Sequence, residues 1–260
     1  MRLANRLAFI TGGGRGIGRA IAFAFAREGA QVGVAARSAD QVQQVADEIK
    51  AETGFDAFGV ICDVTEPVSV QLAFEETQKH FNRAPDILVN NAGIAQSAPL
   101  VKTSDELWNQ IIATNLTGVF NCTRAALPAM FEGGWGRVIN VASIAGKLGA
   151  QYVSAYTASK HGVIGLTRSA SMETALRGVT VNAICPGYVE TDMADLAIRN
   201  ISTRTGKTEA EALDYLKAMS PQNRLTTPEE VAALAVLLAS EDGRGINGQA
   251  INIDGGTSQY

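Results

Sequence analysis

The stretch Leu7-Ala8-Phe9-Ile10-Thr11-Gly12-Gly13-Gly14-Arg15-Gly16-Ile17-Gly18 decides the fold. Its first five residues, LAFIT, form a short apolar run that suits a buried strand. The glycines allow a tight turn, and a helical pattern opens at residue 17 and runs to 28. A strand, a glycine turn and a helix in that order present backbone N–H groups at the positive end of the helix, where a phosphate binds. The spacing is GxxxGxG, not the GxGxxG of the usual dinucleotide fingerprint, so the strand–loop–helix context carries the reading.

Outward from this unit the same alternation continues. Strands are expected at 7–11, 31–36, 57–61, 86–90, 137–142, 179–184 and 249–253, with helices near 17–28, 40–52, 67–81, 104–131, 154–176 and 228–240. Seven strands alternating with helices predict an α/β fold: a single Rossmann-type, doubly wound domain over residues 1–260, with a seven-stranded parallel sheet and helices on both faces. Residues 190–225 break the rhythm as a long, mostly polar excursion. It leaves the carboxyl end of a strand, where ligands of such sheets bind, and is read as a substrate lid.

A net charge of −4 gives no basic field for nucleic acid or anionic lipid, so neither is expected as a partner. The start, MRLANRLAFITGG, has only residues 7–10 as a continuous apolar run, too short for a secretory signal. The run at 231–239 is too short to cross a bilayer. A cytoplasmic protein is expected. Cys62, Cys122 and Cys185 are widely spaced and form no CxxC pair, which suits small apolar residues better than a bridge. His80 and His161 are the only histidines and lie in no ligand-spaced cluster, so neither a metal nor a Ser-His-Asp triad is expected. The acid/base must come from another residue type.

The end of the second strand reads Val34-Ala35-Ala36-Arg37-Ser38, with no acid until Asp40. A carboxylate there would accept the ribose hydroxyls of NAD; Arg37 instead offers a planar fork to a 2′-phosphate. Arg15 could reach the same phosphate from the other side. NADP(H) is therefore favoured, with NAD(H) the alternative. Tyr156 and Lys160, in Tyr156-Thr157-Ala158-Ser159-Lys160, lie four residues apart on one helix face. An ammonium beside the phenol favours phenolate and makes Tyr156 a usable general acid/base.

Taken together, TGGGRGIG (11–18), CDV (62–64), NNAG (90–93), Asn115, Ser143, YTASK (156–160) and PGYVET (186–191) resemble the short-chain dehydrogenase/reductase superfamily over essentially the whole chain. The resemblance implies an oxidoreductase interconverting a ketone and a secondary alcohol. It implies that Tyr156 protonates the developing alkoxide, Ser143 polarises the carbonyl, and Lys160 tunes the tyrosine and meets the nicotinamide ribose. Asn115 would hold a water linking the lysine to solvent. Gly12, Gly16, Ile17 and Gly18 would cradle the pyrophosphate, and Asp63 and Val64 would lie against the adenine. Asn91, Ala92 and Gly93 would run along the adenine-side ribose. Pro186, Gly187, Val189 and Thr191 would surround the nicotinamide. His161 is expected to point away from the site.

Within the superfamily the chain is similar to 3-oxoacyl thioester reductases, polyketide ketoreductases and 3-hydroxybutyrate dehydrogenases. Gln96, Gln151, Tyr152 and Tyr188 flank the expected pocket with Ser143 and Tyr156. The lid carries Arg199, Arg204 and Lys207 within nine residues that contain no acid, which could meet the phosphates of coenzyme A. Fatty-acid-synthesis relatives dock an acidic carrier through a basic cluster before the fifth strand; here residues 131–137 hold one acid and one base. The expected substrate is accordingly a CoA-type 3-oxoacyl compound, with a small hydroxy acid, diketone, sugar or steroid alcohol as the alternative. A non-catalytic cofactor sensor or a scaffold would have no need of the Asn115, Ser143, Tyr156 and Lys160 set. The resemblance also implies a homotetramer.

Overall fold

The computed structural model describes residues 1–259. The sheet has seven parallel strands in the order β3-β2-β1-β4-β5-β6-β7. They are β1 (Leu7–Thr11), β2 (Gln31–Ala36), β3 (Ala57–Ile61), β4 (Ile87–Asn90), β5 (Gly136–Val141), β6 (Val179–Pro186) and β7 (Ala250–Ile253). The helices that matter first are α1 (Gly16–Arg27), α2 (Ala39–Thr53), α3 (Pro67–Phe81) and α9 (Pro228–Ala239).

Strand period two sends alternate side chains of β1 to opposite faces. Ala8 and Ile10 enter an apolar cluster shared with Ile21 of α1 and Val231 and Ala235 of α9. Phe9 enters the other cluster and stacks on Phe74 of α3, ring centres 4.3 Å apart. Both faces of the sheet are thereby buried, as a doubly wound fold requires. Because β3 and β4 lie on opposite sides of β1, the loops leaving β1 and β4 diverge and open a crevice at the carboxyl edge of the sheet. Thr11 and Asn90 begin those two loops.

Two segments differ from expectation. The helix expected at 104–131 is α4 (Asp105–Ile112) and α5 (Gly118–Gly133), joined by a π-helical turn at Ala113–Thr117. The wider turn carries Asn115, which is fully buried. The excursion 190–225 is largely helical: α7 (Asp192–Thr205) and α8 (Glu209–Ala218) pack on a small core of Ala194, Ile198, Ala212, Leu216 and Leu225. The signals were present in the chain. Ala194, Ala197, Ile198 and Ile201 keep helical spacing among polar residues, and Thr208-x-x-Glu211 closes as a capping box. The remaining helix, α6 (Ser154–Thr174), carries the Tyr156–Lys160 face. Among the described residues no helix is long and apolar enough to cross a membrane.

Candidate active site

The glycine loop is held from below by β4's loop. The Thr11 hydroxyl accepts the N–H groups of Asn91 and Ala92 at 3.0 and 3.1 Å and donates to the Val89 carbonyl at 3.3 Å. The Asn91 amide donates to the carbonyls of Thr11 and Gly12, each at 3.0 Å. Its side chain therefore fixes the turn. Gly12 and Gly16 sit at φ +62° and +52°, a backbone region that favours glycine. A side chain on Gly12 would also strike the Ala92 backbone. Gly18 is needed for space: a Cβ there would collide with the Gly12 carbonyl and reach within 2.5 Å of Asn91 Nδ2. Helix α1 starts without a side-chain cap, Arg15 standing extended at its N-cap and Ile17 half-buried behind it. The Arg15 guanidinium pairs with Asp192 at 2.9 Å.

At the far end of the crevice Arg37 is exposed directly after β2. Asp63 lies near it. Burial opposes ionisation of Asp63, but the Thr65 N–H and hydroxyl, at 2.9 and 2.8 Å, and the Arg37 charge outweigh it and hold the carboxyl below its ordinary value. Val64 is buried, its carbonyl accepting from Asn121 Nδ2 of α5 at 3.0 Å. Cys62, one residue before, neighbours Cys122 of α5 closely enough for the two thiols to hydrogen-bond, a contact the sequence spacing did not reveal. All three cysteines are buried free thiols.

The four residues expected to be catalytic converge beside this crevice. Ser143 follows β5 and caps a short 3-10 turn at Ile144–Gly146, accepting from Ala145 N–H at 3.1 Å. Tyr156 keeps part of its surface in solvent, yet dense packing around the phenol raises its pKa, against the lowering effect of a hydrogen bond from Ser143. This corrects the expectation that Lys160 lowers it. The Lys160 ammonium, 5.6 Å from the Tyr156 ring centre, is buried and donates to the Val141 carbonyl at 2.8 Å. Burial pushes its pKa down to about 8.

Asn115 is fully buried in the π-helical turn. Its amide exchanges two hydrogen bonds with the backbone of Ile94, both at 2.9 Å, and donates to the Ser159 hydroxyl at 3.1 Å. Ser159 in turn donates to the Tyr156 carbonyl at 2.7 Å. Ser159 was not singled out in the sequence, though it stands inside YTASK. Gly93 fits between these groups, since a Cβ there would lie 3.3 Å from Asn115 Oδ1 and 3.7 Å from Lys160 Nζ.

The rim comes from three loops. Gln96 and Gln151 are exposed on segments joined by the bond from Ala98 N–H to the Tyr152 carbonyl at 2.8 Å. Tyr152 sits at φ +67°, a strained backbone for a bulky residue. Arg204 of α7 donates to the Ser97 carbonyl at 2.9 Å and ties the helical hairpin to the same rim. Tyr188 is partly exposed, and burial, with Tyr215 of α8 nearby, raises its pKa. Pro186 ends β6, and Gly187 packs tightly on Asp254. Val189 is buried and pairs with Thr226, while Thr191 forms the N-cap of α7. His161 is exposed, bonded to the Thr157 carbonyl, away from Lys160.

A doubly wound sheet with this cluster at its carboxyl edge defines a dehydrogenase-type oxidoreductase. The chain belongs to the short-chain dehydrogenase/reductase family: residues 6–201 match the family model described as short chain dehydrogenase. A ketoacyl reductase assigned to the granaticin polyketide synthase of Streptomyces violaceoruber is 39% identical over 259 residues, covering 99% of this chain and 94% of that one. The 3-oxoacyl-(acyl-carrier-protein) reductase FabG of Escherichia coli is 37% identical, with 98% of each chain covered. A tryptophan variant of the actinorhodin polyketide ketoreductase, crystallised with NADPH, superposes with a TM-score of 0.94 at 37% identity, covering 98% of both chains. This protein is accordingly an oxidoreductase of carbonyl and alcohol groups, in a family that uses NAD(P)(H).

Proposed function

We propose that this enzyme is an NADP(H)-dependent ketone reductase acting on 3-oxoacyl/3-hydroxyacyl thioesters of the coenzyme A type. The observation that carries the reading is the convergence of Ser143 and Tyr156 beside the buried ammonium of Lys160. A dinucleotide fits the crevice on the chain's own features: an uncapped helix N-terminus, positive-φ glycines and an arginine where an acid would select NAD. Gly12, Gly16, Ile17 and Gly18 would hold its pyrophosphate, and Arg37 with Arg15 the 2′-phosphate. Asp63 and Val64 would take the adenine, and the backbone of Asn91, Ala92 and Gly93 the adjoining ribose. Pro186, Gly187, Val189 and Thr191 would line the nicotinamide end. When bound, the nicotinamide supplies the hydride for the carbonyl carbon.

Ser143 and Tyr156 present hydroxyls to the substrate oxygen and stabilise the negative charge that develops there. Tyr156 gives its phenolic proton to that oxygen. A phenol held above its ordinary pKa is protonated at neutral pH, the state that reduction needs. Lys160 supports the phenolate left behind, and a pKa of about 8 lets it pass a proton near neutrality. Asn115 acts one step back, fixing the Ile94 segment and, through Ser159, the turn of α6 that carries Tyr156.

Arg199, Arg204 and Lys207 are exposed on the hairpin, which we read as the substrate lid that places them for CoA phosphates. The one base of residues 131–137 cannot serve a carrier protein, because Arg137 lies within β5 and is buried between Trp135 and Glu241. Comparing kcat/KM for acetoacetyl-CoA and a short N-acetylcysteamine thioester, with NADPH and with NADH, tests the reading. The expected result is faster turnover with NADPH and an advantage for the CoA ester that shrinks as salt screens the lid. Equal rates for both cofactors, or no CoA advantage at low salt, would remove the corresponding assignment. Exposed Trp108, Phe120, Met172 and Leu176 on and just after α4 to α6 support a homotetramer as the working assembly; a monomer by light scattering at micromolar concentration would overturn it.

A further inference from the structure

Arg15 and Asp192 stand 177 positions apart in the chain and meet over the mouth of the crevice. Arg15 is the N-cap of α1, inside the glycine loop, and Asp192 is the first residue of α7, at the root of the lid. The guanidinium donates to Asp192 Oδ2 at 2.9 Å, with both side chains about seven-tenths exposed. Beside the pair the lid root rests on the loop itself: a Cβ on Gly16 would lie 3.2 Å from the Thr191 methyl group. The contact is therefore a packed seam with an ion pair bridging its outer edge.

The other cations near the crevice are placed differently. Arg19, one turn further along α1, is held by Glu48 at 2.7 Å. Arg37 stands near Asp63, whose carboxylate already takes both polar groups of Thr65. A 2′-phosphate that recruits Arg15 must therefore draw it away from Asp192, whereas a ribose hydroxyl has no charge with which to do so.

We propose that Asp192 is a selectivity-determining residue: by holding Arg15 it weakens recognition of the 2′-phosphate and so sets how strongly NADP(H) is preferred over NAD(H). This rests on the reading of Arg15 and Arg37 as the 2′-phosphate site. A ligand that needs a group in a fractionally populated arrangement binds more weakly by that fraction. Exposed ion pairs of this kind are modest, so releasing Arg15 tightens NADPH by about two- to five-fold. Any effect of the Asp192 charge on the pyrophosphate is common to both cofactors and cancels in their ratio.

The test is a binding measurement. Dissociation constants of NADPH and NADH are taken by fluorescence titration for the unmodified protein, Asp192→Asn, Arg15→Ala and the double variant. Asp192→Ser, which leaves Thr191 at the N-cap of α7, repeats the first substitution with a different neutral side chain. The expected result is an NADPH:NADH affinity ratio that rises about two- to five-fold in both Asp192 variants, and no rise when Asp192→Asn is added to Arg15→Ala. A ratio unchanged by either Asp192 variant, while Arg15→Ala lowers it, would overturn the clasp and leave the cofactor reading standing. A ratio unchanged by Arg15→Ala would remove Arg15 from the 2′-phosphate site and the proposal with it. A gain that persists without Arg15 would show that Asp192 acts by another route and would also overturn the proposal.

Discussion

Tyr156→Phe is expected to lower kcat by about 10²- to 10⁴-fold, the span typical of removing a general acid. Cofactor affinity should be largely unchanged, because the substitution keeps the ring and its packing and removes only the hydroxyl. That hydroxyl is the partner of Ser143, and burial keeps it protonated at neutral pH. Lys160→Ala should damage both binding and turnover, since its ammonium reaches the Val141 carbonyl in the floor of the site as well as the tyrosine. Single-turnover kinetics with parallel binding titrations separate the two cases. A Tyr156→Phe enzyme retaining more than about a tenth of the unmodified kcat would disprove the proton-donor role.

Gly18→Ala is expected to abolish measurable cofactor binding and to destabilise the fold. The new Cβ would fall on the Gly12 carbonyl and within 2.5 Å of Asn91 Nδ2. The obstacle is largely backbone, so α1 must move away from the loop. That shift would break the two bonds by which Asn91 holds Thr11 and Gly12. Overpacking of this kind costs about 1–3 kcal/mol, which lowers Tm by several degrees in a chain of this size. Gly14→Ala provides the control, because a Cβ there would meet chiefly the Gln41 side chain, at 3.1 and 3.3 Å. It should melt and bind nearly as the unmodified protein does. If Gly18→Ala behaved like Gly14→Ala, close packing would not be what the last glycine of the loop supplies.

Much of this site was legible in the chain because its parts are local. LAFIT followed by glycines specifies a strand, a turn and a helix within a dozen residues, and Tyr156 with Lys160 needs only helical spacing. What could not be read depends on distant partners. The Lys160 ammonium donates to a carbonyl in β5, and the Tyr156 phenol is raised by packing from several elements, so the expected sign of its shift was wrong. Asn115 could be expected to do polar work inside a helix. That the helix widens into a π turn there, with Asn115 bonded to Ile94 twenty-one residues away, could not be read from local spacing. In the lid the helical spacing of Ala194, Ala197, Ile198 and Ile201 is diluted by charged residues, so its periodicity is weak beside its polar composition. The Arg15–Asp192 contact had no sequence signal at all.

Reduction of a 3-oxo thioester by the proposed nicotinamide chemistry is tested directly by one assay. The unmodified protein is mixed with NADPH and acetoacetyl-CoA, and nicotinamide absorbance is followed alongside chromatography of the thioester. The predicted result is loss of NADPH matched one for one by 3-hydroxybutyryl-CoA, with a slower reaction when NADH replaces NADPH. Bound NADPH that is not consumed, with acetoacetyl-CoA or any other short 3-oxo thioester present, would contradict it.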